Sequence, residues 1–217
     1  MTDLWAGFWH KAENHRWSAV DEHVLHEVAR AMGWGPERWL LELGGGRGEH
    51  SKRLAEMGRC VAPPIIYDTS KDANLLAERR GCEAVPAMAI PGHCAVVWSY
   101  GLVEHFDADD RERMVRNHFV LATEMVVIVV PARTWTRKLS PPRPEVPWQR
   151  ELTAGELLAE MTLAAVQDGR SWRVEKPRAF APLFGLRHIP DAVYEVLTPF
   201  AERVLPGNLL IGVARRV

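Results

Sequence analysis

The stretch LLELGGGRGEH, residues 40–50, decides the fold. A short apolar run with the character of a buried strand, RWLLEL (38–43), leads straight into four glycines within five positions. Glycine this dense marks a place where a ligand or another backbone comes closer than a Cβ permits. One carboxylate, Glu42, stands two residues ahead of the first glycine. A phosphate-cradling loop is excluded, because no Gly-Lys-Ser/Thr follows. The G-x-G-x-x-G fingerprint of a dinucleotide site also fails, since its third place counted from Gly44 falls on Glu49. The spacing that holds is G-x-G-x-G, at Gly44, Gly46 and Gly48. An acid beside the loop disfavours a pyrophosphate and favours a ligand end that carries an amine.

Outward from this stretch, strands and helices alternate. SAVDEHVLHEVARAMG opens with Ser18 and places Asp21 three residues later, an N-terminal capping arrangement. Val24, Leu25, Val28 and Met32 then share one helical face, and Gly33 ends the segment. GEHSKRLAEMG (48–58) reads as the helix after the glycines, VAPPIIYD (61–68) as a second strand, and SKDANLLAERRG as another helix. CEAVPAM (82–88) is a weaker strand candidate and CAVVWS (94–99) a strong one. DADDRERMVRNHFVLA (107–122) starts at an Asp107 cap with further acid in its first turn, favourable against the helix dipole. EMVVIVVP is an unbroken apolar strand, the kind buried on both faces of a parallel sheet. Thr153 and Glu156 form a capping box for the next helix, which ends at Gly169, and GNLLIGVARRV is a last strand. Such alternation predicts an α/β fold, an open and mostly parallel sheet with helices on both faces.

Composition bounds the function. At 217 residues and 47% hydrophobic, the chain buries a full core, and one domain is expected. A net charge of -1 exerts no global pull on nucleic acid. Neither a leader nor an apolar run of spanning length is evident, so the expectation is a cytoplasmic protein with no membrane partner. Three cysteines, Cys60, Cys82 and Cys94, lack close pairing, which argues against disulfides and zinc. His10, His15, His23 and His26 lack a third ligand at sensible spacing, so no metal is expected. Four of the nine tryptophans, Trp5, Trp9, Trp17 and Trp34, precede the first strand. They suit either docking of an N-terminal helix or an aromatic face over the site, where cation–π attraction contributes about 0.5–2 kcal/mol.

At this point the sequence resembles the class I S-adenosylmethionine-dependent methyltransferases. Glu42 to Gly48 resembles their first motif, whose glycine loop passes under the methionine part of the cofactor. Asp68, 20 residues past Gly48 at the end of the second strand, stands where the family places an acid for both ribose hydroxyls. VVWSYGLVEHF (96–106) resembles the fourth strand and the segment after it, and VVIVVP with RELTAGELLAEM the fifth strand and its helix. The resemblance spans residues 38–169 and extends towards the C-terminus. It implies a doubly wound, mostly parallel seven-stranded sheet with an N-terminal helical extension. Residues 1–37 would be a helical cap, 38–131 the cofactor-binding half, 132–150 a basic proline-rich loop or lid, and 151–217 the C-terminal half.

The resemblance also assigns roles. S-adenosylmethionine is the implied cofactor, held by Glu42, Gly44, Gly45, Gly46, Gly48, Asp68, Thr69, Met88, Ser99 and Tyr100. No acid stands near Met88, and Cys94-Ala95 replaces the usual Phe-Asp, so adenine would meet backbone groups with Met88 or Ala89 packing on the ring. His105 and Glu104 border the reacting centre, with His105 either the general base or, with Glu104, a structural pair that orients the loop. His15, Trp17, Trp135 and Arg137 are the expected substrate contacts. The loop 132–150, with four prolines, five basic residues and one acid, follows a central strand and so sits at the ligand-binding edge. Its charge, with Arg178, Arg187 and His188, favours an anionic substrate or else a solvated surface. The expected reaction is methyl transfer to an oxygen or nitrogen of a small molecule, not nucleic acid. A non-catalytic cofactor-binding scaffold and a nicotinamide-dependent oxidoreductase are the alternatives, and the oligomeric state is left open.

Overall fold

Capped amphipathic segments and unbroken apolar runs become a sheet with a helical layer on each face. The computed structural model describes residues 17–33, 39–60, 63–85, 94–136, 149–184 and 189–217. Strands β1 (Leu40–Leu43), β2 (Ile65–Tyr67), β3 (Glu83–Ala84), β4 (Cys94–Tyr100) and β5 (Ala122–Pro131) pair in parallel in the order β3-β2-β1-β4-β5. Strand β8 (Leu209–Arg216) joins β5 antiparallel. Two short strands, β6 (Trp172–Val174) and β7 (Arg178–Phe180), pair with the far edge of β8 at its two ends. Pro177, which has no N–H to donate, interrupts this edge. The eight strands thus occupy seven positions.

Alternation along β5 divides the core. Met125, Val127 and Val129 face a cluster with Val24, Leu25, Val28 and Met32 of helix α1 (Ala19–Met32) and Tyr194 of helix α6 (Asp191–Val204). Val126, Ile128 and Val130 face the other cluster, with Val115 and Phe119 of helix α4 (Ala108–Leu121) and Leu157 and Met161 of helix α5 (Ala154–Asp168). Helices α2 (Glu49–Glu56) and α3 (Lys71–Arg79) complete the parallel half. The capping boxes at Ser18/Asp21 and Thr153/Glu156 and the Asp107 cap are all formed. Among the described residues no helix is long and apolar enough to cross a membrane.

The sequence reading contained neither the β6–β7 edge nor α6. Three-residue strands around a proline carry no period, and α6 has Pro190 at its N-cap position, no side-chain cap and Pro199 inside it. The weak strand candidate at 82–88 is present as the two-residue β3, and β2 starts only after Pro64.

Candidate active site

The glycine loop joins the carboxyl end of β1 to α2. Gly44, Gly46 and Gly48 adopt φ of +66°, +52° and +72°, a region costly to residues with a Cβ. Close approach adds to this: a Cβ on Gly44 would sit 2.5 Å from Leu102 Cδ1, and one on Gly48 2.7 Å from Cys82 Sγ. Asp68, just past β2, ties the loop down. One of its carboxylate oxygens accepts from Gly46 N–H at 3.0 Å and the other from Ser70 N–H at 2.8 Å. Gly44 N–H also donates to the Tyr67 carbonyl at 2.7 Å.

Between these strand ends opens a cleft lined by Leu43, Gly44, Tyr67, Asp68 and Thr69 on one side. Tyr100, Gly101, Leu102, His105, Phe106 and Met114 line the other. The structure therefore brings together Gly44, Asp68, Thr69, Tyr100 and His105 of the residues singled out from sequence. His105 lies on a 3-10 turn, Val103–His105, and Glu104 beside it is buried, its carbonyl accepting from Arg150 N–H at 2.9 Å. That bond fastens the turn to the chain entering α5.

Two predicted cofactor contacts point elsewhere. Glu42 is only 2% exposed and does not line the cleft. Its carboxyl accepts from the Ser51 hydroxyl at 2.7 Å, and Ser51 Oγ accepts from Trp98 Nε1 at 3.0 Å. Burial pushes the Glu42 carboxyl up to about 8, with Asp68 adding in the same direction and the Ser51 bond opposing. Ser99 faces the opposite layer, where its side chain meets His118 Nε2 at 2.9 Å. His118 Nδ1 lies 2.8 Å from the Met114 carbonyl, which can only accept, so Nδ1 carries the proton and Nε2 accepts from Ser99. Burial lowers His118 to about 4.

Among the expected substrate contacts, Trp17 meets the His50 ring at 5.5 Å, and His50 stands edge-on to Tyr100 at 5.0 Å. Tyr100 reaches Phe184 at 6.4 Å, so an aromatic row runs from Trp17, just ahead of α1, to the cleft wall. Trp135 is exposed, on the turn after β5. His15, Met88, Ala89, Arg137, Arg187 and His188 lie outside the described residues. His23 pairs with Glu202 and His26 with Glu22, and among the described residues no group of three ligands could hold a metal. All three cysteines are free and buried.

Sequence reasoning missed His50, Ser51, Trp98, His118 and Phe184. For His50 a signal existed: it closes the glycine stretch in the first turn of α2, beside the strand ends.

Three solved structures show what this arrangement is similar to. A possible histamine N-methyltransferase from Thermotoga maritima aligns over 100% of both chains, with a TM-score of 0.65 at 15% identity. Magnesium protoporphyrin IX methyltransferase from Synechocystis, with bound SAH, covers 98% of this chain and 95% of its own, at a TM-score of 0.63 and 12% identity. An S-adenosylmethionine-dependent methyltransferase from Archaeoglobus fulgidus covers 96% and 99%, at 0.61 and 17%. No family model and no curated protein matches the sequence. Likeness at such low identity is likeness of fold, and the fold of this chain is that of the class I S-adenosylmethionine-dependent methyltransferases.

Proposed function

We propose that the protein is an S-adenosylmethionine-dependent methyltransferase acting on an oxygen or nitrogen of a small molecule. The observation that carries this reading is the cleft at the carboxyl ends of β1, β2 and β4, with Asp68 and the Cβ-free Gly44 on one wall and His105 on the other. The residues suit the cofactor. Asp68 stands at the cleft with its oxygens fixed by Gly46 N–H and Ser70 N–H, and a carboxylate so placed is the acceptor type that a ribose hydroxyl needs. At Gly44 the loop presents backbone without a side chain, as a close-lying ligand requires. The cofactor supplies an electrophilic methyl on a sulfonium. The protein aligns the acceptor with that methyl, and alignment lowers barriers by roughly 7–11 kcal/mol in the best cases. His105, on the cleft wall, takes the acceptor's proton where its pKa is high. In this reading the acceptor contacts are Trp17, whose aromatic row reaches the cleft wall at Tyr100, and Trp135, His15 and Arg137.

The net charge of -1 supports a small molecule over a nucleic acid, and the basic residues after β5 favour an anionic one. A cofactor-binding protein without turnover is the second reading, supported by the lack of an acid near Met88.

The test is calorimetric titration with S-adenosylmethionine and S-adenosylhomocysteine, followed by labelled-methyl transfer to a panel of small acceptors. Wild type is expected to bind in the micromolar range, and Asp68→Ala to lose about 100-fold, near 2.7 kcal/mol. No binding by wild type sinks the proposal. Binding with no transfer to any acceptor selects the second reading.

A further inference from the structure

We propose that Glu42 serves the site as a positioning residue: held by Ser51 and, through it, by Trp98, it forms the floor on which the glycine loop rests and meets the ligand only through that loop. The proposal rests on the cofactor reading above for its ligand, but not for its geometry. Three observations carry it. Glu42 and Trp98 are register partners on the adjacent strands β1 and β4, and Ser51 of α2 bridges them through bonds of 2.7 and 3.0 Å. All three side chains are buried, with Ser51 and Trp98 wholly inaccessible. Finally, the peptide at Gly45 lies directly on this floor: a Cβ there would stand 3.0 Å from Glu42 Cγ, 3.1 Å from Glu42 Cδ and 2.9 Å from Ile66 Cγ2.

The strut thus joins three elements, β1, β4 and α2, beneath the one segment that must present its backbone to a ligand. A charged carboxylate is not required for this, since an oxygen that accepts from the Ser51 hydroxyl and the Ser51 backbone N–H is enough. The ionisable groups acting on Glu42 speak against charge as well. Asp68 beyond β2 is an acid that disfavours a second negative charge, and the Cys82 thiol interacts with it as a like-signed group.

An amide with the same shape should therefore replace the acid. Two measurements on the full chain test this. The first follows hydrogen–deuterium exchange of the amides of residues 44–48 in the protein alone, for wild type, Glu42→Gln, Glu42→Ala and Ser51→Ala. Glu42→Gln is expected to match wild type, and the other two to exchange about tenfold faster or more. The second is calorimetry with S-adenosylhomocysteine at pH 7 in two buffers of different ionisation enthalpy. Glu42→Gln should bind within about threefold of wild type, Glu42→Ala and Ser51→Ala about tenfold or more weaker, and wild type should release no proton.

Wild-type loop exchange in Ser51→Ala overturns the strut. A loss of tenfold or more in Glu42→Gln with unchanged loop exchange overturns it in favour of a charge contact, as does release of about one proton that Glu42→Gln abolishes. Should wild type bind no S-adenosylhomocysteine, the cofactor reading fails, while the exchange arm still decides the strut.

Discussion

Two consecutive residues of β4 anchor two buried polar chains on opposite faces of the sheet. Trp98 points to the layer of α1 and α6, where it donates to Ser51 and so supports the carboxyl of Glu42. Ser99 points to the layer of α4, where it donates to His118, which in turn donates to the Met114 carbonyl. Each chain contains an ionisable group that burial keeps neutral, an acid on one face and a base on the other. The difference is one of sign. Glu42 resists losing a proton and His118 resists gaining one, so alkali stresses one face of the sheet and acid the other. Neutral hydrogen-bonded chains brace the site from beneath, while Asp68, at the cleft, uses its oxygens on backbone N–H groups.

The sharpest way to break this comparison is to remove one member and follow stability against pH. Unfolded Glu42 ionises above its ordinary value of 4.5, whereas folded Glu42 keeps its proton to about 8. The folded chain then binds more protons at this group, whose contribution to stability falls as pH rises through that interval by about 1.4 kcal/mol per pH unit. Glu42→Gln abolishes this fall, so its urea midpoint is expected to exceed that of wild type by a margin that widens from pH 4.5 to 8. A wild-type profile parallel to that of Glu42→Gln across the range would show that the folded carboxyl is ionised, contrary to the comparison.

His118 gives the next largest effect, with opposite sign. The unfolded histidine takes a proton below 6.5 and the folded one only below about 4, so stability falls on acidification between these limits at about the same slope. Protonating Nε2 would turn the acceptor of the Ser99 hydroxyl into a donor facing a donor. His118→Gln removes the acid-side fall. In wild type the two slopes cancel between about pH 4.5 and 6.5, so each single variant should unmask the other's slope there. Denaturation of both variants and the double variant in that window is the check, and parallel profiles in all of them would refute the opposition of sign.

Neither chain was legible in the sequence, and the reason is physical. CAVVWS and EMVVIVVP are apolar but for Ser99 and Glu124 at their ends, because strands buried on both faces carry no alternation that tells one face from the other. Without that phase, Ser99 read as a cleft residue although its side chain turns away, and Glu42 read as a charge although it lies under the loop. Asp68 and the glycines were legible because their positions follow from chain order: one ends a strand, the others must turn where no Cβ fits. The strands of the parallel half were legible for the same reason. The C-terminal edge was not, because β6 and β7 are three residues each on either side of Pro177, and α6 carries its own proline at 199 and lacks a side-chain cap.

The smallest effect sharpens the comparison from outside the core. Glu156, in the capping box of α5, accepts from Thr153 N–H at 2.7 Å and from Thr153 Oγ at 2.8 Å, and Arg150 lies 3.0 Å away. The Thr153 backbone bond is the largest cause that lowers its carboxyl to about 2, with Thr153 Oγ, Arg150 and Arg133 adding to it against desolvation. Here an acid at the surface is kept ionised by the kind of bond that Asp68 makes at the cleft, whereas Glu42 in the core is kept neutral. Its contribution is therefore present above the ordinary value of 4.5 and lost as pH falls through about 2, the reverse of Glu42. Thr153→Ala removes the cap and should cost about 1 kcal/mol at neutral pH, with a difference that stays level from pH 5 to 8. A difference that grew with pH in that range would mean that the cap and the buried acid are coupled, and the two faces of the sheet would no longer count as independent.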